Sequence, residues 1–215
     1  CGTGQHPIET ASRFKDCHVL AIDLSLHSLA YAQRKTEELQ ISNIKYKQLD
    51  ILEIGKTGRK FDIIESVGVL HHMDKPKAGL KALVDCLSNG GLIKLGLYSE
   101  LARRHIVEIQ NSTVTDNTKI NDGDIRTFRN QIINSNKEQN KYIRLTTDFY
   151  NMSSIRDLLF HVQEHRFTIA QIKQCLQELG LKFCGFEHPK LSQFIVTNVL
   201  SPENIHSLDA WEKFE

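Results

Sequence analysis

Apolar residues along this chain fall into short runs separated by helical stripes. Residues 17–22 are almost continuously apolar and end in Asp23-Leu24-Ser25. Such a run suits a strand covered on both faces of a parallel sheet. Residues 44–49 alternate, Lys45 and Lys47 against Ile44, Tyr46 and Leu49, and end at Asp50. Further strands are predicted over residues 61–66 and 92–98. Between them, residues 26–39 carry Leu26, Leu29, Ala30 and Ala32 at helical spacing behind Ser25, a plausible N-cap. Pro76 fits the first position of a second such helix, where its missing N–H costs nothing. Leu80, Leu83, Val84 and Leu87 form its stripe, and Asn89-Gly90-Gly91 is expected to stop it. A short, mostly polar helix is predicted over residues 6–16. This alternation of strand and helix is the signature of an α/β fold, a doubly wound, mostly parallel sheet.

After Tyr98 the pattern changes. Residues 99–160 read as helices and polar loops: a helix opening at Ser99-Glu100-Leu101, a polar linker over 111–123, a helix over 124–138 and a short helix from Ser154. A stretch this long beside the ligand edge of a sheet reads as a substrate-covering cap. Thr168-Ile169-Ala170-Gln171 is a capping-box start for a helix over 169–179 that Gly180 stops, and residues 181–186 are expected as a final strand. The resulting division is a core of residues 1–98 and 165–190, a helical insertion of residues 99–164 and a tail of residues 191–215.

The 215 residues give enough length for one substantial core, and a net charge of +1 offers no electrostatic reason to expect nucleic acid or an anionic membrane as partner. Five cysteines without a C-x-x-C pair fit a reducing, cytoplasmic compartment better than a disulfide framework. No apolar run reaches the length of a membrane span.

The chemistry is organised by Cys1-Gly2-Thr3-Gly4-Gln5 read together with Asp23. Glycines let a backbone approach a ligand and tolerate positive φ. An acid about 20 residues on, at the tip of the next strand, can accept from a ribose. The dinucleotide pattern G-x-G-x-x-G is absent, because Pro7 stands at its third glycine. That speaks against a nicotinamide-dependent oxidoreductase.

Taken with Asp50, with Ser66-Val67-Gly68-Val69-Leu70-His71-His72 and with Asn89-Gly90-Gly91, the series resembles the class I methyltransferases that use S-adenosylmethionine, over about residues 1–98. The resemblance implies a Rossmann-like fold and S-adenosyl-L-methionine as cofactor. Cys1, Gly2, Gly4 and Gln5 would pass close to it, and Asp23 beside Leu24 would hold the ribose hydroxyls. Asp50 would take the adenine amine, with Ile51 over the ring. Ser66, Val67 and His71 would line the sulfonium side. In that family a buried strand precedes the glycine turn, so the chain reads as a fragment whose sheet lacks its first strand.

The stretch from Arg156 to Phe167 resembles a segment of bacterial methyltransferase domains that follow tetratricopeptide repeats, which implies such repeats upstream. The methyl acceptor, a small molecule or a protein, is not named by the sequence. His71, His72, Tyr150, His161 and His165 are candidate catalytic groups, with Asp157 on the same substrate side. His161-Val162-Gln163-Glu164-His165 also matches the H-x-x-E-H zinc pattern. It lies just ahead of the helix start at Thr168, and a third ligand would have to come from elsewhere, so no metal is expected. A non-catalytic scaffold with the same fold is the alternative, but such decay should have spared fewer of Gly2, Gly4, Asp23 and Asp50.

Overall fold

The computed structural model describes residues 1–113, 120–161, 163–187, 191, 195–196 and 204–213. The chain divides into two compact units, residues 1–65 with 78–94 and residues 66–77 with 95–215.

In the first unit, helix α1 (Gln5–Arg13) leads to strand β1 (Val19–Asp23), helix α2 (Leu26–Glu38) and strand β2 (Ile44–Gln48). Strands β1 and β2 pair in parallel, Val19 opposite Ile44 and Asp23 opposite Gln48. That register puts the carboxyl ends of both strands side by side, where ligands bind in open α/β sheets. The side chain of Ser25 accepts from the Ser28 N–H and caps α2, as its position predicts. Ala32 is fully buried and Leu29 nearly so. Asn43 anchors the turn before β2 by donating its amide to the Ala11 and Phe14 carbonyls.

A 3₁₀ turn (Ile51–Thr57) then leads to strand β3 (Phe61–Val67), helix α3 (Pro76–Val84) and strand β4 (Leu87–Gly96). Strands β3 and β4 are hydrogen-bonded neighbours, and among the described residues no ladder joins them to β1 and β2. Ile63 and Leu92 remain more than half exposed on these strands.

Here the helix stop was misjudged from sequence. Helix α3 ends at Val84, and the strand begins at Leu87 and runs through Asn89-Gly90-Gly91. Gly90 does take the left-handed conformation (φ 76°), but inside the strand. A side chain on Gly91 would stand 2.9 Å from the Asp62 carbonyl, so the second glycine is required by strand packing.

The second unit carries the helical insertion: α4 (Arg104–Thr113), α5 (Asp122–Ile133), α6 (Glu138–Ile143) and α7 (Met152–Phe160). These helices bury one hydrophobic cluster of their own, with Ile109, Ile125, Ile143, Phe149, Ile155 and Leu159 all at or near zero exposure. The insertion is therefore a folded element. Helix α4 starts later than its sequence suggests and extends over residues 111–113, part of the stretch expected as linker, whereas residues 114–119 of that stretch lie outside the described residues. Helix α5 is closed by an Asn121–Asp124 capping box.

Helix α8 (Ile169–Glu178) has the predicted Thr168–Gln171 capping box. It ends on Gly180 at φ 66°, with the Leu181 N–H donating to Leu176 and the Gly180 N–H to Gln177, a Schellman closure. Residues 181–186 are not a strand. They have no ladder partner among the described residues, and without one a segment gains no sheet hydrogen bonds. A last short helix, α9 (Leu208–Glu212), buries Trp211.

Candidate functional site

The first group of site residues lies at the carboxyl end of β1. The Asp23 carboxylate accepts from three backbone nitrogens: Gly2 N at 2.7 Å and Cys1 N at 2.9 Å on Oδ2, and Ser25 N at 2.9 Å on Oδ1. Partial burial pushes the Asp23 carboxyl up, but the bonds from Ser25, from the Cys1 amino group and from Gly2 prevail and hold it below its ordinary value. Asp23 thus stays ionised and fixes the glycine turn upon β1. A carboxylate has about four acceptor positions and Oδ1 carries only one of these three bonds, so capacity for a ligand hydroxyl remains on Oδ1.

The two glycines of this turn have different reasons to be glycine. Gly4 caps α1 at φ 91°, and a Cβ there would stand 2.6 Å from the Ala32 Cβ, so its smallness serves the packing of α1 on α2. Gly2 (φ 56°) has open space where a Cβ would go. Gly2 is therefore the glycine free to face a ligand. Gln5 begins α1 and is exposed, and Leu24 is 65% exposed. Asp50 caps the 3₁₀ turn by accepting from Leu52 N at 2.8 Å, and Ile51 beside it is half-buried.

The second group lies in the second unit. His71 is 1% exposed, and neither ring nitrogen makes a well-formed hydrogen bond; the Ser66 hydroxyl is likewise buried without a partner. Val67 is partly exposed and packs against Gly96. Burial, then the neighbouring His72 and the Arg103 charge, push the His71 imidazole down to about 4, with the Asp157 charge and the Gly96 carbonyl opposing only weakly. His71 is neutral at pH 7 and a weak base.

Around His71 runs a column of rings. Tyr98 stacks on it at 3.7 Å between centroids, the Arg103 guanidinium lies 3.8 Å over the other partner, Tyr98, and His72 meets His71 edge-on at 4.3 Å. His72 stacks in turn on His161 at 3.7 Å. Burial raises the Tyr98 hydroxyl above its ordinary value. Arg103 is held by Glu164 through two bonds, 2.8 and 2.6 Å, and by the Leu158 carbonyl at 3.0 Å.

The described residues of the H-x-x-E-H segment, His161, Gln163, Glu164 and His165, are not helical. Helix α7 ends at Phe160, and His161 is its C-cap with extended angles (φ −65°, ψ 133°). The two histidines of that pattern therefore do not share a helical face. Glu164 pairs with Arg103, and the backbone of His165 donates to the His71 carbonyl at 2.7 Å. His72, Asp157 and His161 do come together: Asp157 Oδ1 lies 3.8 Å from the Nε2 atom of each histidine. Tyr150 is elsewhere, its hydroxyl on the Arg144 carbonyl at 3.1 Å. Tyr98, Arg103 and Glu164 were missed as members of this cluster. No local spacing marks them, because Arg103 and Glu164 are far apart in sequence.

Residues 1–91 match the family described as "Methyltransferase domain". An uncharacterized protein of Synechococcus is 27% identical over all of this chain, which spans 54% of that protein. (S)-Coclaurine N-methyltransferase of Papaver somniferum is 29% identical over 43% of this chain and 26% of its own length. Among solved structures, PKMT2 from Rickettsia typhi in complex with AdoHcy superposes over the whole chain and 44% of its own, with a TM-score of 0.72 and 16% identity. This chain thus spans between 26% and 54% of the length of these relatives. Its fold is the Rossmann-like α/β fold of that solved structure, and residues 1–91 match the methyltransferase-domain family.

Proposed function

We propose that the protein transfers a methyl group from S-adenosyl-L-methionine to an acceptor that is a small molecule or a protein side chain. The observation that carries this reading is the clasp of Asp23 on the Gly2 backbone, within residues that match the methyltransferase domain. It fits the cofactor in three respects: an ionised carboxylate with spare acceptor capacity, a glycine with open space beside it, and both at the carboxyl end of a parallel strand.

When bound, the cofactor supplies an electrophilic methyl group on a positively charged sulfur. Asp23 would accept from the ribose hydroxyls, Asp50 would take the adenine amine, and Cys1, Gln5, Leu24 and Ile51 would surround them. Ser66, Val67 and His71 would line the sulfonium side. Because the donor is already reactive, the protein's work is to align donor and acceptor and to exclude water. Positioning of this kind is worth roughly 7–11 kcal/mol in favourable cases. The low basicity of His71 makes it a wall of such a site in preference to a general base, whose ideal pKa lies near the working pH. The insertion, with its own core, suits a cap that selects the acceptor. Tetratricopeptide repeats as neighbours of this domain and a cytoplasmic setting belong to the same proposal.

Calorimetric titration of S-adenosylhomocysteine tests the reading. Micromolar binding that Asp23→Ala removes supports it; a folded protein that does not bind overturns it in favour of a scaffold.

A further inference from the structure

The histidine–aspartate cluster carries an inference that does not depend on methyl transfer. The Nδ1 atom of His72 lies 3.1 Å from the Gln163 carbonyl oxygen. A carbonyl oxygen only accepts, so Nδ1 must carry the hydrogen, and in neutral His72 the Nε2 atom presents a bare lone pair. That lone pair faces Asp157 Oδ1 at 3.8 Å, which is a second acceptor. Two acceptors turned toward one another across such a gap repel unless a proton, a doubly donating water or a metal cation lies between them. The Nε2 atom of His161 is also 3.8 Å from Oδ1, and the three ligand atoms all lie within 4.8 Å of one another.

We propose that His72, Asp157 and His161 bind a divalent transition-metal ion of the zinc type. Two imidazoles and one carboxylate are a donor set suited to zinc and its first-row neighbours. His72 already has the outer contact typical of a ligating histidine, its second ring nitrogen donating to a backbone carbonyl. Bonds of about 2.0–2.2 Å would draw the ligand atoms inward by some tenths of an ångström.

His161 makes the larger adjustment. Its Nδ1 now accepts from the Gln163 N–H at 3.2 Å, so its Nε2 holds the hydrogen. Ligation exchanges the tautomer, moving the hydrogen from Nε2 to Nδ1 with no net loss of a proton, releases that bond and fans the stacked rings apart. His161 follows the last residue of α7 and its side chain is 31% exposed, so it has room to turn. Asp157 is half exposed and gives the ion an entry path. Three protein ligands leave a coordination position open to an oxygen ligand.

The chain has ten histidines and five cysteines, so bulk metal uptake alone decides nothing. The test is competitive titration of Zn²⁺ and Co²⁺ into the full chain and into the Asp157→Asn, His161→Gln and His72→Gln variants. One equivalent is expected in the parent, with each variant weaker by at least about tenfold, the lower end of what even outer-contact changes cost. The exposed position of Asp157 keeps Asp157→Asn informative if the His72 variant fails to fold. Absence of stoichiometric binding, or equal affinity in the parent and Asp157→Asn, overturns the proposal. A nitrogen NMR titration in which His72 Nε2 takes up a proton while added Zn²⁺ leaves its signal unmoved also overturns it, since a proton would then fill the gap.

Discussion

The Asp23 clasp and the His71 column solve the same problem, holding polar groups still, by opposite means. At Asp23, one ionised side chain is satisfied by backbone N–H groups from residues of the turn and the strand end. Nearly everything it needs is supplied by backbone, which any sequence provides. In the column, side chains satisfy side chains: Glu164 holds Arg103, Arg103 lies over Tyr98, and Tyr98 stacks on a histidine with no good hydrogen bond. A backbone-built site tolerates change around it and depends on one acid. A side-chain-built site spreads its dependence over many residues and leaves some of them unsatisfied, the usual condition of groups that await a ligand or shape one.

The sharpest way to break the contrast is Arg103→Ala. It leaves the Glu164 carboxylate, whose side chain is 6% exposed, with only the longer contact from Arg166 at 3.5 Å, and should cost up to about 3–5 kcal/mol in urea unfolding. A loss near zero would show that water already reaches the pair. Asp23→Ala should leave the fold standing and cut affinity for S-adenosylhomocysteine by at least about a hundredfold, since each charge-assisted bond is worth roughly 1.5–3 kcal/mol.

Acid should act on the column and spare the clasp. The folded state holds His71 near 4 and the unfolded chain near 6.5, so the unfolded state takes up the proton first as pH falls. Stability is then full above about pH 6.5 and declines by up to about 3 kcal/mol on the way to pH 4. Urea melts at pH 7 and 4.5 should show that slope in the parent and a reduced one in His71→Phe. The two turn glycines sharpen the comparison further. Gly4→Ala meets both positive φ and Ala32, while Gly2→Ala meets only the φ cost of about 1–2 kcal/mol, so Gly4→Ala should lower the melting temperature more. Thr168→Ala, which removes an exposed cap, should cost about 1 kcal/mol.

How much was legible in the sequence follows the same divide. Helices α2 and α8 were readable because Ser25 and Thr168 act on N–H groups three residues away. The glycine turn and Asp23 were readable because their link is set by strand order. The start of β4 was not, because a left-handed glycine looks the same at a helix stop and within a strand. Residues 181–186 have strand-like composition, but a strand is made by its neighbour. The meeting of His72 with Asp157 and His161 joins positions far apart along the chain, and no periodicity records such a contact.

The short parallel bridge between Ser99 and Phe167 has a consequence of another kind. The Phe167 N–H donates to the Tyr98 carbonyl and the Glu100 N–H to the Phe167 carbonyl, so the insertion leaves and returns through one stapled neck. Once the neck is closed, doubling the length of what hangs from it costs only about 0.6 kcal/mol of closure entropy. The excursion between Ser99 and Phe167 can therefore change in length at little entropic cost. Evolution, or a designer, can lengthen or shorten what hangs from the neck without undoing the pairing that closes it.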